Sequence, residues 1–213
     1  MHITDNVKSL RDSGLQTSNS SFNVHDHLKT LTVEELQALS ITDRLPWHTA
    51  CLNVTGDLNV GTMIRTSHCM GASSVVIFGR QKIDNRSLVG SANYITVHKV
   101  AGIETDLSLN ASEFVAAMDR LALTPVFVEM GGLALSSINW STRLEAINNR
   151  NQQICLVMGN ETGGIPDDIL SLQNLIPNSF SVSIPQRGVI RSMNVAIAHA
   201  MVVNSLCTSM RWI

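Results

Sequence analysis

From Thr49 onward the chain switches regularly between short apolar runs and longer amphipathic ones. The segments TACLNV (49–54), SVVIF (74–78), ITVHKV (95–100), PVFVEM (125–130), QICLVM (153–158) and FSVSI (180–184) are short and rich in β-branched or apolar residues, and each predicts a strand. Between them, Gly61–Met70, Ala111–Leu121, Trp140–Asn149, Pro166–Leu172 and Ser192–Leu206 predict helices. Near-continuous apolar strands separated by helices point to a parallel sheet covered on both faces. In such sheets ligands bind beyond the carboxyl ends of the strands. The loops after residues 54, 130, 158 and 184 are therefore the places to look for chemistry.

Residues 1–28 are rich in Ser, Asn, Asp and Thr and follow no period, so they predict a flexible arm. Thr32 and Glu35 stand at capping-box spacing and predict a short helix after Thr32. The division expected is an arm with one short helix over 1–45 and one main domain over 46–213.

Composition narrows the partners. The chain has 213 residues, enough for one α/β domain with a sizeable core. Charged residues make up only 15% and the formal net charge is −2, so bulk positive charge does not hold a nucleic acid here, although local basic patches still can. Cys51, Cys69, Cys155 and Cys207 lie far apart with no C-x-x-C pair, which predicts buried, reduced thiols in a cytoplasmic protein. No apolar run reaches membrane-spanning length and the first residues lack a signal-peptide core, so no membrane association is expected.

Three loops carry candidate chemistry. The first holds Asn59 and, six residues on, Arg65; taken alone they read as a helix cap and a solvated arginine. The second, VMGNETGGIP (157–166), has three glycines between a strand and Pro166. It contains neither a Walker lysine nor a dinucleotide fingerprint. Glu161 there could simply complement a helix N-terminus. The third, SIPQRGVIRSMNVAIAHAMVV (183–203), places Ser192 and Asn194 between arginines and an almost wholly apolar helix. His199 in that helix reads as a hydrogen-bonded core histidine, and no His or Cys at ligand spacing accompanies it, so no metal is expected.

Each signal is weak singly, but their order is specific. Asn-x-x-x-x-x-Arg, then Gly-Asn-Glu-x-x-Gly-x-Pro, then Ile-Pro…Arg-Ser-Met-Asn-Val resembles the three motifs of the SpoU/TrmH family of RNA ribose 2′-O-methyltransferases, within the SPOUT superfamily. The likeness runs over roughly 49–207, and the third motif is most similar to members that act on tRNA, with rRNA also compatible. Met193 stands where the family usually has Leu, and Gln186-Arg187 adds charge where many members are apolar.

The resemblance implies a Rossmann-like α/β sheet whose C-terminal segment forms a deep trefoil knot. It implies S-adenosylmethionine bound near Glu129, Met130, Gly131, Gly159, Asn160, Ile184 and Met193. It assigns catalysis to Asn59, Arg65, Glu161, Ser192 and Asn194, with Arg65 acting on the 2′-hydroxyl together with an RNA phosphate. Because a guanidinium is almost never deprotonated, Arg65 is expected to bind phosphate and polarise the hydroxyl rather than to take its proton. The family's homodimer packs through the last helix, which places Val195, Val202 or their neighbours at a subunit contact. Phosphate contacts are expected from Arg80, Lys82, Arg86, Arg187 and Arg191. The rival reading is a catalytically inactive knotted RNA-binding or scaffold protein; the complete polar set favours the enzyme. A nicotinamide-dependent oxidoreductase fails on the missing fingerprint.

Overall fold

The computed structural model describes residues 23–79, 82–100, 110–190 and 192–213. The short helix after Thr32 is α1, Val33–Thr42. Its capping box is formed: Glu35 N–H donates to Thr32 Oγ1 at 3.2 Å and Thr32 N–H donates to the Glu35 carboxylate at 2.8 Å. It does not hang free. Leu36 is buried, Gln37 donates to the Asn93 carbonyl, and Ser40 donates to the Tyr94 carbonyl.

The six expected strands form one sheet: β1 Leu45–Leu52, β2 Ala72–Phe78, β3 Thr96–Val100, β4 Leu123–Ala134, β5 Gln153–Met158 and β6 Phe180–Ser183. Their spatial order is β3-β2-β1-β5-β4-β6, and every neighbouring pair is parallel. Side chains alternate between two cores, as the two-residue strand period requires. Cys51, Ile77 and Leu156 face one, while Leu52, Phe78 and Val157 face the other.

The first face is covered by α2 (Asp57–Cys69), α5 (Trp140–Asn148) and α7 (Val195–Ser209) through Met63, Trp140 and Val203. The second is covered by α4 (Ala111–Arg120) and the single turn α6 (Asp167–Leu170), through Phe114, Met118 and Ile169. A short turn, α3 (Asn85–Leu88), leads into β3. Burying each large apolar side chain contributes about 1.5–3 kcal/mol. The buried indoles also satisfy their polar atoms: Trp140 donates to Ser205 Oγ at 3.0 Å and Trp47 to the Met70 carbonyl at 3.2 Å.

Two helix starts differ from expectation by three residues or more. Helix α2 begins at Asp57, so Asn59 lies inside the first turn and Gly56 holds the cap position without a side-chain bond. Helix α7 begins at Val195, because Asn194 caps it by accepting from Ala196 N–H and Ile197 N–H at 2.9 and 3.2 Å. Of the subunit contact expected at Val195, Val202 or their neighbours, Val195 and Val202 themselves are corrected: both are buried in the chain's own core, at 8% and 0% exposure. Ile197 and Met201 are the exposed apolar residues of that helix, at 55% and 41%.

The cysteine expectation also needs one correction. Cys51, Cys155 and Cys207 are buried, and burial raises all three thiol pKa values, but Cys69 at the end of α2 is exposed. His199 is the core histidine expected. It is fully buried and its Nε2 lies 2.9 Å from Thr49 Oγ1, which in turn meets Ser67 Oγ. No helix among the described residues is long and apolar enough to cross a membrane.

Candidate active site

A break in register between β4 and β6 opens the site. Val128 and Leu133 of β4 both pair with Val182 of β6, so residues 129–132 bulge out of the sheet. Gly131 carries the bulge at φ +83°, a conformation that a Cβ disfavours. Glu129 and Met130 on this bulge line a cavity of about 400 Å³. The loop after β5, Ile184 after β6, and Ser192 and Met193 before α7 supply other walls. The cavity thus sits beyond the carboxyl ends of three adjacent strands, as expected for a parallel sheet.

The loop after β5 folds tightly on itself. Asn160 and Gly164 exchange two backbone hydrogen bonds of 2.9 Å. A Cβ on Gly159 would lie 2.4 Å from the Gly164 carbonyl carbon, so only glycine fits there. Asn160 holds the turn: its Oδ1 accepts from Thr162 N–H and Gly163 N–H, and its Nδ2 donates to the Asn53 carbonyl. Glu129 ties the bulge to this loop, because its carboxylate accepts from Ile165 N–H at 3.1 Å and from Met130 N–H at 2.9 Å.

Glu161 joins this loop to the start of α2. Its Oε2 accepts from Thr55 N–H and Thr55 Oγ1, both at 2.9 Å. Its Oε1 accepts from Gly56 N–H at 2.8 Å and from Asn59 Nδ2 at 2.9 Å. Partial burial alone would raise the carboxyl pKa, but the Asn59 amide and the Thr55 and Gly56 N–H groups outweigh it and hold it at about 2. Glu161 is therefore an anion at neutral pH with its acceptor positions engaged, and it is unsuited to taking a proton. The chain continues, since Asn59 Oδ1 accepts from Asn194 Nδ2 at 3.0 Å. Asn59 thus spends both ends of its amide on residues from the other two loops, and its expected alternative role as a helix cap is absent.

Of the residues expected around a cofactor, Glu129, Met130, Gly159, Asn160, Ile184 and Met193 line the cavity, and Gly131 shapes it. Glu161 and Ser192 line it too, while Asn59 and Asn194 stand behind Glu161 in the hydrogen-bonded chain. Arg65 is not brought to this cavity. It is exposed on another face of α2 and lines a second cavity.

The expected phosphate contacts scatter. Arg86 is held by Asp84, with Nη2 2.6 Å from Oδ2, and Lys82 lies 3.1 Å from Asp57 Oδ2. Arg187 is exposed, one residue beyond Gln186 of the cavity wall. Arg80 and Arg191 lie outside the described residues. Among the described residues no group of three His, Cys, Asp or Glu could hold a metal ion.

Residues 47–204 match the model of the SpoU rRNA methylase family. The chain belongs to that family. None of the curated protein sequences compared with it matches significantly. Solved structures share the fold. The TrmH/SpoU tRNA modifying enzyme of A. aeolicus superposes with a TM-score of 0.63 at 16% identity, over 84% of this chain and 83% of that one. The SpoU methyltransferase AviRb of Streptomyces viridochromogenes, solved with AdoMet, gives 0.57 at 20% identity over 79% of this chain and 58% of that one. An AdoMet-bound rRNA methyltransferase of Sinorhizobium meliloti gives 0.58 at 23% identity over 78% and 57%. The chain therefore spans little more than half of the last two proteins.

Within this SpoU-family chain, the hydrogen-bonded line Glu161–Asn59–Asn194 connects the three motif loops to one another. Sequence reasoning missed Thr55 and Gly56, whose N–H groups hold Glu161. The available signal was their place as a Thr-Gly turn directly before the α2 helix.

Proposed function

We propose that this chain transfers a methyl group from S-adenosylmethionine to a ribose 2′-hydroxyl of RNA. Among RNAs, tRNA is the first to test, because of the likeness of the third motif. The observation that carries the reading is the chain from Glu161 through Asn59 to Asn194, which draws the three motifs together at one cavity. The cavity suits a nucleoside. Its volume falls in the range of ligand sites, and it combines apolar side chains such as Leu170 and Ile184 with glycine-rich backbone. Met130, Gly159, Ile184 and Met193 would hold the adenosine part. Bound there, S-adenosylmethionine supplies the methyl as an electrophile on a positively charged sulfur.

The chain's own residues do the rest by position and charge. Glu161, fixed as an anion, sets the orientation of Asn59 and the entrance to α2. Ser192, exposed on the cavity wall, would hold the ribose. Glu129 and Glu161 both accept backbone N–H bonds that fix their carboxylates in place. The hydroxyl proton leaves to an RNA phosphate or to water, and Arg65, outside this cavity, binds phosphate along the same strand.

The reading includes a trefoil knot and a homodimer. Contacts on either side of the segment after β6 support threading: Ser183 Oγ donates to the Gly132 carbonyl at 2.9 Å, and Asn194 meets Asn59. Ile197 and Met201 on α7 supply the dimer face. The buried thiols suit the reducing cytoplasm.

Methyl transfer from labelled S-adenosylmethionine to tRNA and rRNA pools tests the reading. Label should be recovered in dinucleotides that resist alkali, because a 2′-O-methyl group blocks cleavage of the adjoining phosphodiester. Label on a base, or none in either pool, would overturn it.

A further inference from the structure

The second cavity, of about 620 Å³, lies between α1, the C-terminal half of α2 and the segment leading into β3. Two of its walls are apolar or aromatic. Leu36 and Leu39 of α1 face it, and the rings of His68 and Tyr94 lie 5.7 Å apart at 30° on another side. Arg44 and Arg65 supply charge, against Asp43 as the acidic residue of the lining. Arg44 is pinned by its Nη1 donating to Thr96 Oγ1 at 2.9 Å. Its Nε is enclosed and has no partner among the described residues. Arg44 lines the cavity, so an anion bound there would meet a guanidinium.

We infer that this cavity is a nucleotide site, with the aromatic and leucine walls taking a base and Arg44 and Arg65 taking a phosphate. The inference rests on the reading of an RNA substrate and adds to it the means of holding the strand. Ring surfaces beside guanidinium groups are the chemistry by which single-stranded bases and their phosphates are bound. A sulfonium donor is disfavoured here by the two like charges. Arg65 lies six residues beyond Asn59, about 9 Å along α2, so the two cavities flank one helix. An RNA strand with its target ribose at the first can seat a neighbouring nucleotide in the second. The α1 wall precedes the 47–204 stretch that matches the family, so this chain's own N-terminal segment completes the site.

The test uses a short fluorescein-labelled single-stranded RNA of mixed sequence, adenosine 5′-monophosphate and S-adenosylhomocysteine. These are titrated against the full chain and against Arg44→Gln and Leu39→Trp, the second of which fills the cavity from an exposed position. Both variants should weaken RNA about tenfold, and Arg44→Gln should lower the salt slope by about one. Affinity for S-adenosylhomocysteine should not change, which reports that the fold is intact. RNA affinity and slope equal to wild type in both variants would overturn the inference while leaving methyl transfer in place. Arg44-dependent binding of adenosine 5′-monophosphate with unchanged RNA affinity would assign the site to a free nucleotide and overturn the RNA assignment. A wild-type chain that methylates no RNA, yet binds adenosine 5′-monophosphate through Arg44, would remove the proposed function and leave the nucleotide site standing.

Discussion

The side-chain amide of Asn194 donates to Asn59 Oδ1 at 3.0 Å, across 135 residues of sequence, while its own oxygen caps α7. One residue thus fixes a helix start and a link to α2. Asn194→Ala should lose both, at the usual cost of about 0.5–2 kcal/mol for a cap. Asn194→Asp should keep the cap but set an oxygen against Asn59 Oδ1, which cannot turn away because its Nδ2 is held by Glu161. Methyl transfer should therefore fall further in the Asp variant than melting temperature does. Thermal melts beside single-turnover transfer check this.

Glu161→Gln is nearly isosteric, yet the new NH₂ group must face N–H donors from Thr55 or Gly56. The loss should be about 1–3 kcal/mol of stability, as for breaking charge-assisted hydrogen bonds. Acid should mimic it. The folded carboxyl sits at about 2, below its ordinary 4.5, so its contribution is complete above pH 4.5 and lost as pH falls towards 2. Denaturant titration of both proteins across that window tests the point.

Arg65→Ala should leave affinity for S-adenosylmethionine intact, since Arg65 does not line the first cavity, and should cut methyl transfer by orders of magnitude. Arg65→Lys should rescue poorly, because a point charge cannot replace a planar fork. Calorimetry and single-turnover kinetics separate the two effects; equal transfer rates for wild type and Arg65→Ala would remove Arg65 from the chemistry.

Light scattering should find a dimer that Met201→Glu converts to monomer, by burying an unpaired charge in the interface. Val202→Glu should instead unfold the chain, since Val202 is wholly buried in its own core.

His199 is buried against Thr49 and Ser67, and burial holds its folded pKa at about 3, below the ordinary 6.5. Its neutral form therefore stabilises the fold fully above pH 6.5, and that contribution drains away as pH falls towards 3. The slope can reach about 1.4 kcal/mol per pH unit. His199→Gln should flatten the stability profile between pH 6 and 4, measured against wild type so that the partly buried His48, His68 and His98 cancel.

The sequence by itself determined the sheet. Apolar runs such as QICLVM have no polar face to leave in water, so each had to be an interior strand, and the observed β5 coincides with its expected 153–158 span. It also pointed to the loops that meet at the first cavity, because glycines around Asn160 and an amide before an apolar helix are local signals. Helix starts were less legible. Asn59 looked like a cap because its type prefers that place, and only the fold could show its amide spent on Glu161 and Asn194. Val195 and Val202 looked like interface because a helix apolar all round carries no mark of which side faces its own core. The bulge over 129–132 depends on register with β6, some 50 residues away. Arg65 was legible as a residue and not as a place: six helical residues turn it about 120° away from Asn59, and α1 then closes a second cavity around it. Pattern fixes what a segment must bury. Which partner buries it, and which polar atoms are left to meet, is settled only when distant segments pack.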